Sequence, residues 1–130
     1  MKTDKQIKGT LGENAVCAEL ERRGHMILER NYRKRSGEID IISKIGNNIV
    51  FTEVKARKAG SMVSGLEAVG FVKKKKIIMT ADAYLTDNRC DLYVRYDIAE
   101  VRLTRGSVPR IAGVDIYEDA FDTEGIYTIN

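Results

Sequence analysis

A mixed α/β domain is the fold class this 130-residue sequence predicts. Three observations predict it. Two stretches repeat apolar residues at helical spacing, several others alternate with period two, and they follow the order helix, strand, strand, strand, helix, strand, strand. The length suffices for one hydrophobic core and is too short for two ordinary domains, so residues 1–130 are read as a single unit.

Taken in order, Asp4 to Arg23 reads as a helix, with Ile7, Leu11, Ala15 and Ala18 at helical spacing and Gly24 as its stop. Glu13 shares a face with Val16, Cys17 and Leu20, which turns an acid toward apolar surroundings, where it needs a partner. Met26 to Tyr32 reads as a strand. Arg30, Arg33, Lys34 and Arg35 then concentrate positive charge around Tyr32, either as an edge that tracks phosphates or as a solvated turn. Lys58 to Gly65 has no periodicity and reads as a loop. Leu66 to Leu85 reads as a second helix, on which Lys73 shares a side with Val69, Ile77 and Thr80 and is the lysine of Lys73 to Lys76 that best faces a cleft. Leu92 to Leu103 alternates as a strand, with Arg95 and Asp97 expected as an edge ion pair around a core Tyr96. Gly106-Ser107 makes a turn into Val108 to Ile111, where Pro109 suggests an edge strand, and an acidic tail is expected from about Gly113 to Asn130, with Phe121 docking on the body.

The stretch with most chemical content is Ser36 to Arg57. Glu38-Ile39-Asp40-Ile41-Ile42 alternates acid and aliphatic, Gly46-Asn47-Asn48 is a turn signal, and Ile49 to Lys55 reads as a second strand, so the whole predicts a hairpin. Period-two alternation puts Glu38 and Asp40 on one face of the first strand and Glu53 and Lys55 on one face of the second. Two acids and a lysine can therefore converge. Carboxylates at short range repel unless a cation lies between them, and oxygen ligands of this kind suit Mg2+ or Mn2+. The plainer alternative is an exposed cross-strand ion pair.

An aspartate followed at a distance by Glu-x-Lys, here Asp40 and Glu53-Val54-Lys55, resembles the motif of the PD-(D/E)XK nucleases. The likeness is wider than that. Gly12-Glu13, Arg30-Asn31-Tyr32-Arg33, Gly37 to Asp40, Val50 to Arg57, Ala83-Tyr84-Leu85, Arg95-Tyr96-Asp97 and Ala120-Phe121 stand in the order seen in the YraN-like family, which is similar to archaeal Holliday-junction resolvases. Two departures are visible: Lys73-Lys74 stands where relatives often carry Lys-Gln, and no proline precedes Asp40.

The resemblance implies a restriction-endonuclease-like sandwich, a mixed central β-sheet flanked by α-helices, and metal-assisted hydrolysis of a phosphodiester. Asp40 and Glu53 would ligate Mg2+ or Mn2+ with the carbonyl of Val54, Glu13 would help directly or through water, Lys55 would position the attacking water, and Glu38 would assist from further out. Arg30, Arg33, Arg35, Arg57 and Lys73 would face the nucleic acid, with DNA, branched or linear, expected over RNA. A homodimer would suit a four-way junction. The competing expectation is a nuclease fold that binds nucleic acid without cutting it.

Composition is compatible with such a partner. The net charge is +3, yet the last twenty residues hold Asp115, Glu118, Asp119, Asp122 and Glu124 and no Lys or Arg, which leaves the first 110 at +8. No apolar run is long enough to span a bilayer and none follows Met1 as a signal core, so a cytoplasmic location without a membrane partner is expected. Cys17 and Cys90 lack metal-ligand spacing, and His25, read as an exposed helix terminus, is the sole histidine, which argues against zinc and against a serine or cysteine triad. No G-x-x-x-x-G-K-[ST] loop is present.

Overall fold

The computed structural model describes residues 4–62, 69–108 and 110–125, and of residues 4–8 only the backbone. Its elements are α1 (Asp4–Arg22), β1 (Met26–Lys34), β2 (Gly37–Ile45), β3 (Asn48–Lys58), α2 (Phe71–Asp87), β4 (Tyr93–Leu103) and β5 (Ile111–Phe121). The five strands form one sheet in the order β1-β2-β3-β4-β5. Neighbours are antiparallel except β3 and β4, which run parallel from Asn48↔Tyr93 to Lys58↔Leu103. A parallel neighbour needs a crossover, and α2 supplies it.

Alternation along the strands sends successive side chains into two separate cores. Ile49, Phe51, Tyr96 and Ile98 pack with Ile77, Ile78, Ala81 and Tyr84 of α2, whereas Ala99, Val101 and Ile41 pack with Val16, Cys17 and Leu20 of α1. The helices thus cover opposite faces, which is the α/β sandwich the resemblance implied. The α2 side is aromatic. Tyr84 meets Tyr32 and Phe51 edge to face at 5.2 and 6.0 Å, and Tyr96 stacks on Phe51 and Phe121 at 5.7 and 5.1 Å. Phe121 docks as expected. Tyr32 does not belong to a nucleic-acid edge, because its ring is committed to this core.

Several boundaries differ from expectation for identifiable reasons. Leu11 is 51% exposed, because α1 turns Gly12, Val16 and Leu20 inward, and a Cβ at Gly12 would lie only 3.6 Å from Val101. Strand β3 continues through Lys58 because β4 pairs with it to that point. Helix α2 begins at Phe71 after an extended Gly70, while Leu66 and Gly65 lie outside the described residues, as does Pro109. The segment read as an acidic tail is strand β5 through Phe121: Val114 and Ile116 pack on the α1 core and Tyr117, Ala120 and Phe121 on the α2 core, with exposed Glu118 and Asp119 side by side between them. That makes β4 an interior strand. Asp97 is accordingly fully buried, gripped by Arg95 through two 3.0 Å bonds and by the Asp119 backbone N–H at 3.0 Å, rather than paired at an edge. His25 is likewise buried, with Nδ1 2.9 Å from Ser43 Oγ, and burial lowers its pKa. No described helix is long and apolar enough to cross a membrane.

Candidate active site

The β2–β3 ladder starts at Ile45↔Asn48 beside the turn and ends at Ile41↔Thr52, although both strands go on. Beyond that point β2 pairs only with β1, and β3 only with β4. The sheet divides there. Asp40 and Glu53 are the first residues past the division, one on each side of it. The N–H of Val54, no longer a ladder donor, donates to Asp40 Oδ2 at 2.7 Å. A backbone group buried at a gap needs such a partner, and the carboxylate supplies it.

The opposite side of β2 is irregular at the same place. Arg30 pairs with Ile41 and Tyr32 with Ile39, but Asn31 and Asp40 between them drop out of the ladder, and Asn31 takes a positive φ of 53°. Asparagine tolerates that conformation better than most residues. Its side-chain Nδ2 donates to Glu13 Oε1 at 3.0 Å, which ties α1 to the site.

Charges gather at the gap. Glu53 is only 5% exposed, and its Oε1 lies 3.7 Å from both Lys55 Nζ and Lys73 Nζ, whose side chains are 33% and 43% exposed. A buried acid is thus flanked by two ammonium groups that reach solvent. Asp40 has the opposite problem. Burial first, and then the neighbouring charge of Glu53, push its carboxyl up to about 7, against the bond from Val54 that favours the charged form. Burial and the charge of Asp40 raise Glu13 as well, while Asn31 and Arg30 pull it down.

The structure therefore brings Asp40, Glu53, Lys55 and Lys73 together. Glu13 is near enough to sense Asp40, but its carboxylate is occupied by Asn31 and, at 3.6 Å, by Arg30. Glu38 pairs with Arg33 at 3.3 Å. Arg30 donates to Asn14 Oδ1 at 2.7 Å, so it fastens β1 to α1, while Arg35 is exposed. Arg57 lies 3.5 Å from Glu100, a buried acid in register with Lys55, and donates to the carbonyl of Ser61 at 2.8 Å.

Sequence reasoning assigned no role to Asn31 or Glu100. Asn31 stood in a quoted motif, and its tolerance of positive φ was the available signal; nothing in one sequence marks Glu100. Among the described residues, no group of three or more His, Cys, Asp or Glu is placed to hold an ion between them. The donor chemistry still fits a hard divalent cation. The pair at the gap offers carboxylate oxygens only, and the repulsion that raises Asp40 is what a cation between the acids would relieve.

Residues 12–101 match the family model described as uncharacterised protein family UPF0102. A UPF0102 protein of Desulforapulum autotrophicum is 39% identical over 125 residues, covering 95% of this chain and 100% of its own. One of Syntrophus aciditrophicus is 41% identical over 88% of this chain and 87% of its own, and one of Clostridioides difficile is 40% identical over 80% and 92%.

Proposed function

The chain belongs to the UPF0102 family, the YraN-like group, and from that premise we propose that it is a divalent-metal-dependent endonuclease that hydrolyses phosphodiester bonds in nucleic acid, DNA above all. The observation that carries this reading is the pairing of Asp40 with Glu53 at the division of the sheet, with two lysines converging on Glu53. The two lysines compensate Glu53, but Asp40 has only the Val54 N–H, so without a cation the acid pair is a net cost at Asp40.

Asp40 and Glu53 would hold Mg2+ or Mn2+ with the carbonyl of Val54, and Glu13 through water; the ion supplies charge neutralisation of the phosphate and a more acidic water. Lys55, on the same strand face as Glu53, holds a water or a phosphate oxygen by hydrogen bonds and opposes the negative charge that develops during attack. Lys73 approaches from α2 and offers a second point charge to the same phosphate. Both are exposed enough to meet a polyanion without leaving Glu53.

A second reading is a nucleic-acid-binding module that does not cut, favoured by the engagement of Glu13 with Asn31 and Arg30 rather than with the other two acids. One assay separates the two. Purified protein with magnesium or manganese is offered single-stranded, duplex and four-way-junction DNA and the matching RNA, beside Asp40→Asn and Lys55→Ala. Scission by the wild type, lost in both variants while binding persists, supports the nuclease. Binding by all three without scission supports the module.

A further inference from the structure

At the far ends of β3 and β4 lies a cleft of about 560 Å3 that the proposed chemistry does not use. Arg57, Lys58, Arg102 and Arg105 line it together with Ser61 and Thr104, and a smaller hollow of about 280 Å3 continues it past Lys58 and Arg105 to Ser107. Among the described residues no acid lines either space. Four like charges round one cavity repel each other; Arg57 answers the buried Glu100 and Arg102 answers Asp115, but no acid among the described residues pairs with Lys58 or Arg105.

The charges differ in how they are held. Arg102 donates to Asp115 Oδ2 at 2.7 Å across β5, and Arg57 is fixed by Glu100 and the Ser61 carbonyl. Lys58 and Arg105 are exposed and have no ion-pair partner among the described residues. The walls are nevertheless built. The turn that carries Arg105 is tied at its neck, where Thr104 N–H donates to the Arg110 carbonyl at 2.8 Å and Arg110 N–H donates to Thr104 Oγ1 at 2.9 Å. Gly60, at φ +83°, lets Arg105 lie over the turn after β3, since a Cβ there would be 3.0 Å from the guanidinium.

We propose that this cleft is a second phosphate subsite, which holds the backbone of the nucleic-acid strand as it leaves the candidate active site. The inference rests on the nuclease reading, and it adds where the substrate runs. Arg57 follows Lys55 by two residues, so the two share one face of β3 roughly 7 Å apart, while Lys58, the last residue of the strand, alternates to the other face and meets the cleft at the strand's end. Arg57 connects the two places, because it lines the cleft and contacts Glu100, the register partner of Lys55. A strand whose scissile phosphate lies at Lys55 and Lys73 and that passes Arg57 on the same face therefore enters the cleft, where Lys58 and Arg105 carry unpaired charge.

The test is equilibrium binding of a labelled 20-nucleotide strand and of its duplex, by fluorescence anisotropy in EDTA, over a salt series. The double variant Lys58→Ala with Arg105→Ala is compared with wild type and with Arg22→Ala plus Lys44→Ala, an equal change of charge at the other end of the sheet. Each phosphate that the protein no longer neutralises lowers the slope of log K against log salt by about 0.7 for a single strand and about 0.9 for a duplex. The cleft variant is expected to lose about 1.4 to 1.8 of slope and at least tenfold in affinity at low salt, with its melting temperature unchanged. The control pair is expected to keep the wild-type slope.

Equal slopes for the cleft variant and wild type overturn the proposal, as does an equal loss in the control pair. A cleft-dependent difference toward a deoxynucleoside monophosphate but not toward the strand also overturns it, since the space would then be a mononucleotide site. A cleft-dependent slope in a protein that the scission assay shows never to cut would sink the nuclease reading alone, and no binding to either strand form would sink the subsite and leave the nuclease reading to the scission assay.

Discussion

Replacing Asp40 by Asn should make the metal-free protein more stable above neutral pH. Asp40 titrates at about 7 in the folded chain, against an ordinary 3.8, because burial and Glu53 disfavour its charge. The folded state therefore holds this proton more tightly than the unfolded state does. Below about pH 4 both states are protonated and nothing is lost; as pH rises toward 7 the unfolded chain releases its proton first and stability falls. Above 7 the full cost is present. A shift of about 3 units corresponds to about 4 kcal/mol, at 1.36 kcal/mol per unit. Asparagine keeps an oxygen to accept the Val54 N–H and offers Glu53 an N–H, so it resembles the protonated acid without its titration.

Differential scanning fluorimetry in EDTA between pH 4 and pH 8 measures this directly. Asp40→Asn is expected to match the wild type near pH 4 and to melt on the order of 10 °C higher at pH 8, taking about 3 to 5 °C per kcal/mol for a chain of this size. Magnesium at pH 8 is expected to stabilise the wild type by about 2.7 kcal/mol at a hundredfold excess over Kd, seen as a higher melting temperature, and to leave the variant nearly unmoved. A melting difference that does not vary with pH would refute the electrostatic account. Equal stabilisation of both proteins by magnesium would refute the assignment of Asp40 as a ligand.

Three further substitutions probe the frame that holds the site. Phe51→Ala removes a fully buried ring that contacts both Tyr84 and Tyr96, and urea denaturation should show a loss of about 3 to 5 kcal/mol. Asp97→Ala leaves Arg95 and the Asp119 N–H without their buried acceptor and should cost about 3 to 5 kcal/mol by the same measurement. Gly37→Ala strains a residue at φ +154° and places a Cβ 3.3 Å from both Lys76 Cβ and Thr80 Oγ1; a loss of about 1 to 3 kcal/mol is expected, and an unchanged denaturation midpoint would contradict it.

The parts of this protein legible in its sequence are those fixed by local pattern. The hairpin read over Ser36 to Lys55 is legible because its turn signal and its period-two runs agree, and the shared face of Glu53 and Lys55 follows from strand geometry alone, whereas the extension of β3 to Lys58 comes from its pairing with β4. Strand β5 is hidden because its acids, with Glu118 and Asp119 side by side, break the period-two pattern and give the segment the composition of a polar tail; only pairing with β4 makes it a strand. The burial of Asp97 was hidden for the same reason, since whether β4 lies inside or at the edge depends on whether β5 forms. The basic cleft combines residues about fifty positions apart, Lys58 with Arg105, and no local pattern brings them together.

The division of the sheet explains why the acids lie where they do. Strand β2 is bound to β1 by the short Arg35-Ser36 turn, and β3 is bound to β4 along its whole length. The short turn at Gly46-Asn47 holds β2 and β3 together only at one end, and adjacent strands rotate by about 20 to 25° relative to each other. Each strand follows its outer partner, so the two separate at the end away from the turn. Residues at that point lose ladder partners yet remain inside the sandwich, which leaves a buried polar gap between fixed strands. Acids on two strands are thereby held opposite each other without a mobile loop, and the repulsion between them is stored by the rest of the fold. A cation bound there would relieve existing strain rather than order a new element, so its removal should change the melting temperature without unfolding the chain.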